Sequence, residues 1–212
     1  MKLLGLLFIL ITSGCAQTNS QNKDKTDLVV GGNCEGCEAV HESAVSFEDL
    51  SEVDTLPDYQ EQGEKIRVFG YVFQKDGKTP APDVVIYTYH TDQQGNYSLK
   101  GNEKGWGKRH GYIRGWIKSN EKGFYEFYTL RPASYPNSQN PQHIHVTIKE
   151  HGKTAYWIDE YLFDDDPYFT NEQRQREQQR GGSGILHLKK ENNIMQARRD
   201  IILGKNIPAY PS

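Results

Sequence analysis

The chain has no long amphipathic helical pattern, no basic stripe and no internal repeat, and it has only three cysteines in 212 residues. Without helical periodicity, a bundle or a doubly wound α/β framework is excluded, because neither could bury an apolar stripe that is not there. Lys and Arg number 25 against 28 Asp and Glu, a net charge of −3 spread along the chain, so nucleic acid is not an expected partner. Three cysteines cannot supply an all-thiolate zinc tetrahedron or a disulfide-dense scaffold. No apolar run is long enough for a permanent membrane span; the longest is Leu3–Ile11. What the chain does have is aromatic residues, with 13 Tyr and 8 Phe. Residues of this kind favour strands.

The N-terminus reads as an export signal. Lys2 gives the positive end, Leu3–Ile11 the apolar core, and Thr12-Ser13-Gly14 lead small residues up to Cys15. That arrangement resembles a bacterial lipoprotein signal, which implies a lipidated Cys15 at the mature N-terminus and a membrane anchor in the cell envelope. Residues 1–15 are thus read as signal peptide. Residues 16–63 are read as a tether followed by an irregular arm, since Ala16–Thr26 is polar and Asn33–Gly63 acidic and unpatterned. Cys34 and Cys37 then remain as a close pair, and in an oxidising compartment a local disulfide is the expected state. A redox or metal role for the pair is the competing reading, although His41 alone cannot complete a site.

From residue 64 to 212 the texture changes. Short apolar and aromatic runs recur between turn signals: Ile66–Phe73, Val84–Tyr89, Tyr112–Ile117, Phe124–Leu130, His143–Ile148, Ala155–Phe163, Ile185–Leu188 and Ala197–Leu203. The expected fold is all-β, a sandwich of these strands with one short surface helix, Asn171–Arg180, capped by Thr170 with Gln173 at the capping-box position.

His143-Ile144-His145 lies within one of the strand runs. Side chains alternate along a strand, so both imidazoles project to one face and can reach one cation, while Ile144 points to the other. Upstream stand Gly123-Phe124-Tyr125-Glu126-Phe127-Tyr128-Thr129-Leu130-Arg131-Pro132, then Tyr135-Pro136, then Pro141-Gln142. Gly95-Asn96-Tyr97 precedes them, and Tyr161-Leu162-Phe163-Asp164-Asp165-Asp166-Pro167 and Arg199-Asp200-Ile201-Ile202-Leu203 follow. In this order the segments resemble the intradiol ring-cleaving dioxygenases, which act on catechols and protocatechuate, over roughly Ile66 to Gly204.

The resemblance implies the β-sandwich of that family and one Fe(III) bound by Tyr97, Tyr135, His143 and His145. By analogy Tyr97 and His143 are equatorial, and Tyr135 and His145 axial. It implies opening of a catecholic ring by O2 to a muconate-type diacid, with Tyr135 able to take up a substrate proton. Phenolate oxygens are hard anionic donors that favour the ferric state, which is why the chemistry wants tyrosine beside histidine. One position departs from the pattern. Where ring-cleaving members carry an arginine three residues before the first histidine, this chain has Asn140, which leaves Arg114 or Arg131 as candidates to supply the positive charge. The alternative reading is a non-catalytic sandwich that binds a surface ligand.

Overall fold

The structure is a computed structural model that describes residues 27–212; the expected signal, Cys15 and the expected tether at 16–26 lie outside the described residues. In chain order the strands are β1 (Val53–Thr55), β2 (Lys65–Phe73), β3 (Val85–Tyr89), β4 (Arg114–Lys118), β5 (Phe124–Leu130) and β6 (His143–Lys149). They continue with β7 (Tyr156–Trp157), β8 (Tyr161–Phe163), β9 (Ile185–Leu186), β10 (Lys189–Glu191), β11 (Ile194–Arg198) and β12 (Ile201–Ile202). Two short helices, α1 (Gly107–His110) and α2 (Asn171–Arg176), interrupt them. One sheet has the order β1-β5-β2-β11-β10, with β12 also pairing β2. The other has the order β4-β3-β6-β8-β9, with β7 pairing β6.

The two sheets bury their inner faces against each other, as the period-two patterns require. In β2, Ile66, Val68, Gly70 and Val72 are buried while the residues between them are not. Ile66, Val68 and Val72 meet Phe127 of β5 and Ile86, Ile144 and Ile148 of the opposing sheet in one core. Tyr125 and Tyr161 are buried there too, and their hydroxyls bond each other at 2.8 Å, so neither phenol is left unpaired.

Two expected strands are each broken, for a visible reason. The run Ala155–Phe163 parts into β7 and β8 because Asp159 turns inward and its carboxylate accepts the backbone N–H groups of Gln179 and Arg180 at 2.6 and 3.1 Å. The run Ala197–Leu203 belongs to β11 and β12, parted at Asp200, whose carboxylate takes the Tyr71 N–H at 3.0 Å. β1 and β10 were not expected. Both are short, and β10 is fully exposed, so neither carries an apolar alternation. The surface helix ends at Arg176 rather than Arg180 and has the expected capping box between Thr170 and Gln173.

The arm is less irregular than its sequence suggests. Cys37–Glu42 and Phe47–Asp49 form 3-10 turns, and β1 adds a parallel edge strand to β5. Cys34 and Cys37 form a disulfide. Ala39 and Val40 pack on Val85 and Tyr87, with Trp106 and Trp116 beside them. This small second core covers the outer face of β3 and β4. It is why β3 is buried on both faces.

Candidate metal centre

The register of β6 puts His145 opposite Tyr89 of β3 and His143 opposite Leu162 of β8. Ile144, between them, is buried in the core, so the two imidazoles stand on the outer face of the second sheet, 4.7 Å apart and nearly perpendicular. Each ring has one nitrogen committed elsewhere. His143 Nδ1 donates to the Pro141 carbonyl at 2.7 Å, and His145 Nδ1 lies 2.8 Å from the Glu160 carboxylate. Both Nε2 atoms therefore face outward toward the same space.

Two loops bring the tyrosines there. Gly95 has φ +78°, and a Cβ on it would lie 2.0 Å from the Ser134 carbonyl oxygen, so glycine is required for the loops to touch. Thr91 Oγ donates to the Ala133 carbonyl at 2.6 Å, and the Ala133 N–H to the Asp92 carbonyl at 3.2 Å. Asp92 then closes its own loop by accepting the N–H groups of Gln94 and Asn96 at 2.8 and 3.0 Å. Downstream, the buried Asp166 carboxylate holds the Gln142 N–H at 2.7 Å and fixes the approach to His143.

As a result the Tyr97 hydroxyl lies 2.6 Å from that of Tyr135 and 2.7 Å from His145 Nε2, and the Tyr135 hydroxyl 3.0 Å from His143 Nε2. The four residues singled out in the sequence come together at one point. Burial raises the Tyr97 phenol far above its usual range, and the bond to Tyr135 adds to this. Burial likewise raises Tyr135. Burial lowers His143 and keeps its imidazole neutral, with a lone pair free. Without a cation, then, the two phenol hydroxyls and the two imidazole Nε2 atoms satisfy one another. The same four atoms form a hard, two-oxygen, two-nitrogen set of the kind a ferric ion prefers, so the residues present fit Fe(III).

A second grouping competes. Ligand atoms of His143, His145 and Glu160 lie within 4.8 Å of one another. Glu160, however, already engages His145 through Nδ1, on the side of the ring away from Tyr97, which is the arrangement of a carboxylate that orients a ligand. Burial pushes its carboxyl up, but the hydrogen bond to His145 together with the two histidines outweighs this and holds it below the ordinary range. Glu160 carried no sequence signal, because it acquires its place only from the break between β7 and β8.

Three depressions meet at His145. One, of about 410 Å3, is bounded by Tyr135, Asn140, His143, Phe169 and Arg176; two of about 230 Å3 lie on the side of Tyr89 and of Tyr97. Asn140 thus borders the space before His143. Arg114 does not: its guanidinium pairs with Glu42 at 2.6 Å and stacks over Trp116. Arg131 is equally committed, to Asp165 and Glu64. The expectation that either reaches the centre is corrected; the arginines bordering the depressions are Arg109 and Arg176. Neither was legible in the sequence, since both lie in segments without apolar patterning.

A family model described as Dioxygenase matches residues 40–198. The chain belongs to the dioxygenase family. Similar folds include the dioxygenase domain of a dioxygenase and carbohydrate-binding protein fusion from the cellulolytic bacterium Streptomyces sp. SirexAA-E, at 19% identity and TM-score 0.55, covering 76% of this chain and 94% of that domain. Catechol 1,2-dioxygenase from Acinetobacter sp. ADP1 matches at 19% identity and TM-score 0.53, over 73% of this chain and 57% of that one. For 3-chlorocatechol 1,2-dioxygenase from Rhodococcus opacus 1CP the figures are 20% and 0.53, over 71% and 64%. This dioxygenase-family chain therefore spans less than two thirds of those two catechol enzymes and nearly all of the Streptomyces domain. No curated protein sequence matches it. The β-sandwich is that of the intradiol dioxygenases.

Proposed function

We propose that this protein is an intradiol dioxygenase that opens a catechol-type ring with O2 to a muconate-type diacid, with Tyr97, Tyr135, His143 and His145 as ligands of one ferric ion. The observation that carries the reading is the meeting of the four donor atoms, with successive contacts of 2.6, 2.7 and 3.0 Å, on a family member's sandwich. A ferric ion held there would act as a Lewis acid on both catechol oxygens and make the ring reactive toward O2.

The remaining work falls to side chains. Tyr135 is half-buried, borders the largest of the three depressions at His145 and is bonded to both Tyr97 and His143, a position from which its oxygen, as the tyrosinate a ferric ion would hold, could accept a substrate proton. Glu160 and the Pro141 carbonyl fix the two imidazole orientations, so that both Nε2 atoms point to one place before any ligand arrives. Asn140 can donate a hydrogen bond to substrate but brings no fixed charge, so a slower turnover than an arginine would give is expected. Lipidation at Cys15 would place the enzyme at the cell envelope, where its substrate is an external aromatic compound rather than a cytoplasmic intermediate.

The test is oxygen uptake with catechols, with the product identified by mass spectrometry. The reading expects incorporation of both oxygen atoms into a ring-opened diacid, and a loss of about 100-fold or more in Tyr135→Phe. Absence of oxygen uptake across a panel of catechols by iron-loaded protein would refute it.

A further inference from the structure

One unit at the site belongs to none of the strands or loops that carry the ligands. Cys34, Glu35 and Gly36, the disulfide-bonded turn of the arm, border a depression of about 230 Å3 together with Tyr89, His145 and Glu160. Glu35 also borders the neighbouring one, formed with Tyr97 and Tyr135, and pairs with Arg109 on its far rim. A turn that only fastened the arm would have no reason to border two depressions that share His145.

We propose that the Cys34–Cys37 turn is a specificity-determining wall on the side of the substrate cleft that continues past His145 from the Asn140 depression, limiting which substituents a catechol ring can carry. The inference rests on the functional reading above. Its geometry is closely fitted. Gly36 is buried at φ +84°, and a Cβ there would lie 2.8 Å from His110 Nε2 and 3.3 Å from the Trp106 ring. His110, held by the Tyr87 hydroxyl at 2.8 Å, stacks on Tyr89 with centroids 3.8 Å apart and planes within 4°. Tyr89 in turn stacks on His145 at 4.4 Å and 16°. The turn thus touches the first ring of a column whose last ring is a proposed ligand, and close-packed rings pass displacement on rather than absorbing it.

The arm is anchored on both sides of the turn by contacts that do not involve the disulfide. Before it, the Trp157 indole N–H donates to the Asn33 carbonyl at 3.3 Å. After it, the Trp116 indole N–H donates to the Val40 carbonyl at 2.9 Å, and Glu42 accepts the Trp106 N–H at 2.7 Å. Opening the disulfide therefore frees the wall and leaves the arm in place. So short a closed loop also constrains the unfolded chain little.

The experiment uses the full chain, loaded with iron, as wild type, as Cys34→Ser/Cys37→Ser and as Gly36→Ala. Dissociation constants for catechol and for 4-tert-butylcatechol are read by calorimetry, alongside the visible spectrum and the melting temperature. The serine variant is expected to melt within a few degrees of wild type, while its preference for catechol over the bulky analogue, read as the ratio of the two dissociation constants, falls about tenfold. Gly36→Ala should shift the visible band, because its methyl group presses on His110 and so on the column. An unchanged preference and band together with a lowered melting temperature would reduce the turn to a structural staple and overturn the proposal. If the wild type takes up neither iron nor catechol, it is the functional reading that fails, and this inference with it.

Discussion

Glu160 is the residue on which the balance between the two possible ligand sets turns. It meets His145 at Nδ1, 2.8 Å away, while Nε2 of the same ring faces Tyr97. Glu160→Gln keeps the shape and removes the charge, so metal affinity should fall about 10- to 100-fold without loss of the visible band in the metal-loaded protein, as a dialysis titration would show. Loss of the band itself would make Glu160 a direct ligand. At this scale the sequence was informative where residue types were rare and ordered. His143 and His145 were legible from strand alternation, and Tyr97 and Tyr135 from their place among the other segments. Glu160 was not legible, being one of 28 acidic residues with nothing local to distinguish it. Arg114 was misplaced because strand position alone does not say which carboxylate a guanidinium will find, and here Glu42 of the arm takes it.

At the level of elements, β6 divides its two faces between chemistry and stability. Ile144 is fully buried while the histidines on either side face the centre. Ile144→Ala should cost about 2–5 kcal/mol in denaturant unfolding, yet leave the stoichiometry of iron binding unchanged in the protein that remains folded. The strands that carry this core were readable from period-two patterning, and Phe124–Leu130 was read to the residue. Breaks were harder to foresee. The turn between β7 and β8 depends on Asp159 reaching Gln179 and Arg180, some twenty residues on, and no local pattern announces a bond of that kind. β1 was missed for the same reason. Its three residues earn their strand only through backbone pairing with β5.

For the whole molecule, the outer face of the second sheet is built to be covered, by the arm on one side and by the Tyr97 and Tyr135 loops on the other. Behind the latter, buried His90 ties the loop start to the core, its Nδ1 donating to the Thr91 carbonyl at 2.7 Å and its Nε2 accepting from Thr129 Oγ at 2.7 Å. Burial lowers its pKa from the ordinary 6.5 to about 4. The unfolded chain therefore binds a proton that the folded one refuses between these values. Stability from His90 is complete above about pH 6.5 and is lost as pH falls toward 4, a change of about 3 kcal/mol. Urea unfolding at pH 7 and pH 4.5 should show the fall, and His90→Gln should flatten much of it; an equal slope in the variant would remove His90 as the cause.

Whether two phenolates and two imidazoles share one ferric ion is tested by the iron content and visible absorption of the purified folded protein. The expected result is one iron per chain and a broad tyrosinate-to-iron band that shifts in Tyr135→Phe and weakens in Tyr97→Phe. A protein that stays colourless and metal-free after exposure to ferric iron, while its circular dichroism shows the sandwich intact, would contradict it.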